Sequence, residues 1–149
     1  MKKGYLRLIA AGAAVCAAAT ALMGMGEDPA ERAVRELLTD RTAVISSVLK
    51  GDISYEAGRE KLRHIEAEEL YERDVDIMKK YRDSEWDEVR SMDILKTEKT
   101  SSLYDTAAFG VEIEWTCDGS EGEYRFKESY HVGAEKGGDG YRLISMNIK

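Results

Sequence analysis

Proline is nearly absent from this chain, with one in 149 residues against 13 glycines. That composition excludes collagen-like repeats and proline-rich disorder. Cysteine is scarce too: Cys16 and Cys117 are the only two, which excludes a scaffold stapled by several disulfides. His64 and His131 are the only histidines, so the helix motif of zinc proteases, with two imidazoles four residues apart, has no counterpart. Positive charge is in deficit. There are 22 basic and 29 acidic residues, a formal charge of -7 and a pI near 5.0. A strongly basic nucleic-acid binder is excluded on that balance. What is present in quantity, 43% hydrophobic and 34% charged residues, suits one soluble domain with a single core.

The charge is unevenly placed. Lys2, Lys3 and Arg7 precede an uncharged run from Leu8 to Gly26, and the first acidic residue is Glu27. A basic flank followed by an apolar stretch is the signature of an export leader, and the flank resists translocation. Two fates are open. Gly24 and Gly26 are small enough for cleavage before Glu27, and Ala19 and Ala21 for cleavage before Leu22. Alternatively the run stays as an anchor: residues 8–25 would span roughly 27 Å as a helix at 1.5 Å per residue, close to the thickness of about 30 Å of a bilayer core. Cys16 is a poor lipid-attachment site because the branched Val15 directly precedes it. The chain therefore divides into a signal peptide or membrane anchor over 1–26 and a single extracytoplasmic domain over 27–149. Three of the 22 basic residues lie in the leader, leaving 19 against all 29 acidic ones and a formal charge of -10 on the domain. Such a domain is repelled by nucleic acid and anionic lipid heads. Its expected partner is an unknown protein or small-molecule ligand, with membrane contact through residues 8–25 if the leader is kept.

Beyond the leader the periodicity is helical first. Asp28 and Pro29 suit an N-cap and a first turn. Val34, Leu37, Leu38, Val44, Ile45, Val48 and Leu49 share one face, and Lys50 with Gly51 marks the stop. A second helical stretch runs from about Tyr55 to the region of Tyr81, anchored by Leu62, Ile65, Leu70, Val75, Ile77 and Met78, with a bend or break expected near Glu72 to Asp74. After Trp86 the period falls to two. Met92 and Ile94 open a first strand, with Ser101 and Ser102 in a turn. Phe109, Val111, Ile113, Trp115 and Cys117 then alternate with Glu112, Glu114 and Thr116, the pattern of a half-buried strand. Asp118 to Gly122 forms a hairpin connection. The return strand sets Tyr124, Phe126, Tyr130 and Val132 against Arg125, Lys127, Ser129 and His131. A loop over Gly133 to Gly140 leads to a last strand with Leu143, Ile144, Met146 and Ile148 as core candidates.

The predicted fold is α+β: two to three N-terminal helices packed on one face of a roughly four-stranded antiparallel meander, preceded by a hydrophobic N-terminal helix. This element order resembles that of small exported bacterial proteins of cystatin-like or NTF2-like architecture. The resemblance implies binding or assembly roles at the cell envelope and carries over no site residues.

Motifs with chemistry are few. His64, Glu66, Glu68 and Glu69 form the densest ionisable cluster, the place where a small hydrolase would have its acid–base group. The Gly133–Gly140 segment lacks the Gly-Lys-Ser/Thr ending of a phosphate loop. Glu112 and Glu114 share one strand face, where glycosidic chemistry would need an opposed acid across a cleft. Cys117 and His131 fall in opposite registers, so a dyad is disfavoured. Trp115, Tyr124, Phe126 and Tyr130 are the candidate ligand-binding residues, placed where sheet and helices meet. No catalytic residue, metal ligand or cofactor is expected. The reading is a non-enzymatic extracytoplasmic binding module; the alternatives are a membrane-anchored structural or assembly subunit, and a small hydrolase using His64 and neighbouring acids.

Overall fold

The computed structural model describes residues 27–149. The expected hydrophobic N-terminal helix and the proposed leader lie outside the described residues. Helix α1 spans Pro29–Lys50, α2 spans Tyr55–Ile65 and α3 spans Glu68–Tyr81. Strands β1 (Glu88–Leu103), β2 (Thr106–Gly119), β3 (Gly122–Gly137) and β4 (Gly140–Ile148) follow. They form one antiparallel sheet in the order β1-β2-β3-β4. This is the α+β architecture expected from the sequence.

Helix α1 starts and stops where its residues dictate. The Asp28 carboxylate accepts from the Ala30 N–H at 2.8 Å, and Pro29 takes the first helical position, where its missing N–H costs nothing. Gly51 closes the helix at φ 78°, a left-handed conformation that glycine adopts freely. Val34, Leu38, Ile45, Val48 and Leu49 are buried. They meet Val89 of β1, the stripe Phe109–Val111–Ile113–Trp115–Cys117 of β2, and Tyr130, Val132, Ala134, Leu143 and Met146 of β3 and β4 in one core. Two polar anchors fix the helix along β1. Asp28 pairs with the Lys99 ammonium at one end, and Lys50 pairs with Glu88 at 2.7 Å at the other. The helix thus runs antiparallel to β1.

The break in the second helical stretch comes at Glu66 and Ala67, ahead of the expected Glu72–Asp74. No glycine or proline marks it. The cause is tertiary: Glu66 forms a parallel bridge with Leu143, and the Ala67 N–H donates to the Leu143 carbonyl at 2.9 Å. The corner between α2 and α3 thereby covers part of the outer edge of β4, which would otherwise offer unpaired backbone groups. Glu68, the first residue of α3, takes φ 55° to leave this corner.

Two strand boundaries also move, and the phase of β4 shifts. Ser101 and Ser102 lie inside β1, paired with Ala108 and Ala107, and the turn is at Tyr104–Asp105. The expected Gly133–Gly140 loop is mostly strand: β3 continues to Gly137 and only Gly138–Asp139 turn. A bulge opposite Gly133 and Ala134 shifts the phase of β4, so that Leu143 and Met146 both reach the core while Ile144 is half-buried. Ile148, expected in the core, is 49% exposed at the end of that edge strand.

Candidate functional site

The residues that sequence chemistry singled out do not converge. His64 is exposed on α2, Glu68 and Glu69 are exposed on α3, and Glu66 is buried between the two helices. Cys117 is buried opposite Tyr124, whereas His131 is exposed opposite Gly110, far along the same ladder. Glu112 and Glu114 lie on the outer face of the sheet, and Glu114 is 3.8 Å from the Lys127 ammonium of the neighbouring strand. Among the described residues no group of three or more His, Cys, Asp or Glu side chains is placed to hold a metal ion.

The candidate aromatic quartet divides in two. Trp115 and Tyr130 are fully buried and meet edge to face, with ring centres 6.5 Å apart. The indole N–H donates to the Tyr130 hydroxyl at 3.0 Å, so both polar tips are satisfied within the core. They are core residues and present no face to a ligand. Tyr124 and Phe126 are half-buried and stack with centres 6.2 Å apart at an angle of 22°. The Tyr124 hydroxyl donates to the Asp87 carboxylate at 3.0 Å, and burial raises its pKa. Cys117 lies beneath it, its thiol pushed up to about 12 by burial and then by the nearby Asp87 carboxylate.

The position of this pair in the sheet gives it an accessible neighbour. The β3–β4 ladder ends at Tyr130–Ile148, and one further bond joins the Lys149 N–H to the Ser129 carbonyl at 2.9 Å. From Ser129 back to Gly122, β3 pairs only with β2. In a regular strand the N–H and C=O of one residue point the same way and alternate from residue to residue. Ser129 sets the phase, so Glu123, Arg125 and Lys127 direct their backbone groups toward the open side. Tyr124 and Phe126, between them, put their side chains on the helix-covered face. Helix α3 flanks the same side of the molecule. Its chain advances with β4, from Ala67 beside Leu143 to Arg73, whose guanidinium donates to the Met146 carbonyl at 2.9 Å. Farther along, Arg73, Asp76, Ile77, Lys80 and Tyr81 line a shallow groove of about 210 Å³.

A second constellation, of which sequence reasoning found only part, lies under the helices. Arg41 of α1 is fully buried with Glu66 and Asp74. Its Nε lies 2.6 Å from both Glu66 Oε1 and Asp74 Oδ2, its Nη2 also pairs with Asp74, and its Nη1 is 3.4 Å from the Met146 sulfur. Two buried carboxylates share the Arg41 guanidinium, and the partly exposed Arg73 reaches Asp74 at 3.5 Å. Glu66 holds its proton: burial pushes its pKa up to about 9, the Arg41 charge opposes that rise, and Asp74 adds to it as a negative neighbour and hydrogen-bond partner. The cluster is buried and built from three elements, and its chemistry is that of a pin between helices. Arg41 and Asp74 did carry a sequence signal. Each interrupts an apolar stripe at helical spacing, Leu38–Arg41–Ile45 and Leu70–Asp74–Ile77, where a charge is tolerated only with a partner.

No protein-family model matches this chain, and no curated protein matches it. Among solved structures, the chain is similar to the crystal structure of the intermembrane space region of the chloroplast protein ARC6, at 5% identity and a TM-score of 0.48, over 79% of this chain and 95% of that one.

Proposed function

We propose that the domain is a non-enzymatic extracytoplasmic module that captures an extended segment of a partner protein by strand addition beside β3. The observation that carries this reading is the open side of β3 from Gly122 to Glu128, backed by the half-buried Tyr124–Phe126 stack. An added strand would meet the backbone groups of Glu123, Arg125 and Lys127, and specificity would come from its alternate side chains. Residues facing the aromatic stack would be apolar; those on the other face would lie opposite Arg125 and Lys127, where acidic side chains fit best. Each new backbone bond adds about 0.5–1.5 kcal/mol, so a short strand gives weak, reversible binding. The extracytoplasmic location rests on Lys2, Lys3 and Arg7 followed by the uncharged run to Gly26. The helix-then-meander order supports the cystatin-like or NTF2-like part of this reading.

The test is a proline substitution. Lys127→Pro removes an N–H that has no ladder partner, at an edge where proline is tolerated. Peptides of alternating apolar and acidic residues, selected for binding to the domain, should lose at least tenfold in affinity on the variant while its circular dichroism is unchanged. In the unsubstituted domain they should slow hydrogen exchange at Arg125 and Lys127. Peptides that protect other strands, or bind Lys127→Pro equally well, would remove the reading.

A further inference from the structure

We infer that the segment captured at the open side of β3 is the same segment of a second copy of this chain, the two strands pairing antiparallel about Tyr124. The inference rests on the strand-addition reading and names its partner. Three observations carry it.

The first is the state of the sheet's edges. An unpaired strand edge invites pairing, and folds blunt it with bulges, charges or a cover. The outer edge of β1 is interrupted by three register shifts, between Val89 and Ser91, Ile94 and Lys96, and Lys99 and Ser101. Its Lys99 N–H also donates to the Glu31 carboxylate at 2.9 Å. The outer edge of β4 is met by the Glu66–Ala67 corner and by the Arg73 guanidinium. From Gly122 to Glu128, β3 has no register shift and no proline. Its open side takes no backbone bond there among the described residues. That stretch is regular as well as open.

The second is the order of charges along it. Glu121 and Glu123 precede Tyr124, and Arg125 and Lys127 follow it. All four are exposed. When two such strands run antiparallel with Tyr124 opposite Tyr124, Glu123 of each copy faces Arg125 of the other, and Glu121 faces Lys127. Every charged side chain from 121 to 127 then meets the opposite sign, and directly opposed unlike charges attract across a sheet. On the helix-covered face, Tyr124 and Phe126 meet Tyr124 and Gly122 of the second copy. A parallel copy in register would set acids beside acids. Glu121-Gly122-Glu123-Tyr124 thus alternates acidic with uncharged residues, as this edge requires of its partner, and places its acids opposite Lys127 and Arg125.

The third is fit. Glu123 and Arg125 direct their backbone groups to the open side, so Glu123 of one copy exchanges N–H···O=C bonds with Arg125 of the other, and Tyr124 takes the non-bonded position between them. The turn of the second copy, Ser120–Glu121, comes level with Glu128 and Lys127. Lys149, bonded to Ser129 at 2.9 Å, lies just beyond. A register centred on Arg125 would lay that turn on Lys149 and set Arg125 against Arg125. Helix α3 also leaves room. The chain from Arg73 to Tyr81 advances about 12 Å as helix, and that from Met146 to Lys149 about 10 Å as strand. With Arg73 bonded to the Met146 carbonyl, the helix ends about level with Lys149. The chain then crosses the helix-covered face to Glu88 of β1, with Asp87 bonded to the Tyr124 hydroxyl at 3.0 Å.

Two domains with formal charges of -10 repel each other, and the exchanged backbone bonds are few. The dimer is therefore weak and reversible, and ionic strength near 0.15 M, with a screening length of about 8 Å, favours it over low salt.

The test follows the full chain by sedimentation equilibrium in a neutral detergent matched to the solvent density. Edge substitutions leave the leader unchanged, so differences between variants report the edge. The parent should show a monomer–dimer equilibrium. Glu123→Arg and Arg125→Glu each replace two opposite-charge pairs by two like-charge pairs, and each should raise the dimer Kd about tenfold or more with circular dichroism unchanged. Mixed in equal amounts, the two variants recover every opposite-charge pair, and the Kd should return to within about threefold of the parent value. A parent that stays monomeric up to about 1 mM, single variants that associate as the parent does, or a mixture that stays apart would each overturn the second copy as partner. If selected peptides still bind the edge and lose affinity on Lys127→Pro, the strand-addition reading stands without it; if they do not, both fall.

Discussion

At the scale of single residues, Glu66 couples the stability of the domain to pH. Its carboxyl holds its proton up to about pH 9 in the folded state, against an ordinary value near 4.5 when unfolded. Between these values the folded chain binds more protons than the unfolded one, so the stabilisation is complete below about pH 4.5 and declines as pH rises toward 9. The slope is at most about 1.4 kcal/mol per pH unit. Glu66→Gln keeps a neutral donor and acceptor at this position and cannot ionise. Denaturant titrations should find the variant close to the parent at pH 5 and clearly more stable at pH 9. Tyr104, 97% exposed at the β1–β2 turn with φ 52°, gives a second expectation. Tyr104→Gly relieves the left-handed strain while freeing the unfolded chain, so the melting free energy should be unchanged or raised by about 1 kcal/mol. A clear loss would mean that the tyrosine packs against the fold after all. Arg41 shows what single-residue reading can find and what it misses. Its place on the apolar stripe of α1 was visible, but its two partners were not, because they come from 25 and 33 residues away.

At the scale of elements, sequence periodicity was enough to place α1 and the inner face of β2, since both are buried along one face and nearly every residue obeys one period, Thr116 being buried against the alternation of β2. It failed where a distant element decides the local conformation. The corner at Glu66–Ala67 exists because Leu143 offers its backbone, and nothing within ten residues announces that. The extension of β3 through Gly133–Gly137 escaped notice for a related reason: glycine lowers strand propensity, but pairing with both neighbours outweighs it. A Cβ at Gly133 would lie 2.5 Å from the Ser145 hydroxyl oxygen and 3.2 Å from Ile144, so those side chains would have to shift to admit one. The contact between α1 and α2 depends on glycine in the same way. A Cβ at Gly58 would overlap the buried Val48 side chain and come within 3.5 Å of the Met78 sulfur. Gly58→Ala gains about 1 kcal/mol in helix propensity and costs about 1–3 kcal/mol in overpacking. Thermal unfolding should show a net destabilisation, larger than that of Gly138→Ala, whose Cβ would meet open space.

At the scale of the whole molecule, the α+β class and the helix-before-strand order were legible because the period changes once, after Trp86. The burial of the aromatic residues was legible only in part. Strand alternation puts Trp115, Tyr124, Phe126 and Tyr130 on one face, but which of them the helices cover depends on where β4 stops, and periodicity does not reveal that. Cys117 supplies a global probe. It is fully buried on a central strand, with its thiol raised by burial, so with Cys16→Ala a thiol reagent should react only with unfolded chains. Its rate should follow the global unfolding equilibrium, and the same denaturant midpoint should appear by labelling and by circular dichroism. The placement of β4 has one more consequence, which concerns order in time. Arg41 of α1, the Glu66–Ala67 corner and Arg73 of α3 all take contacts from Leu143 or Met146, in the strand that is made after the other three. The helices gain these contacts only once β4 has emerged, and a chain truncated before Gly140, which leaves the buried Arg41 cluster without them, should be handled by the cell as unfolded.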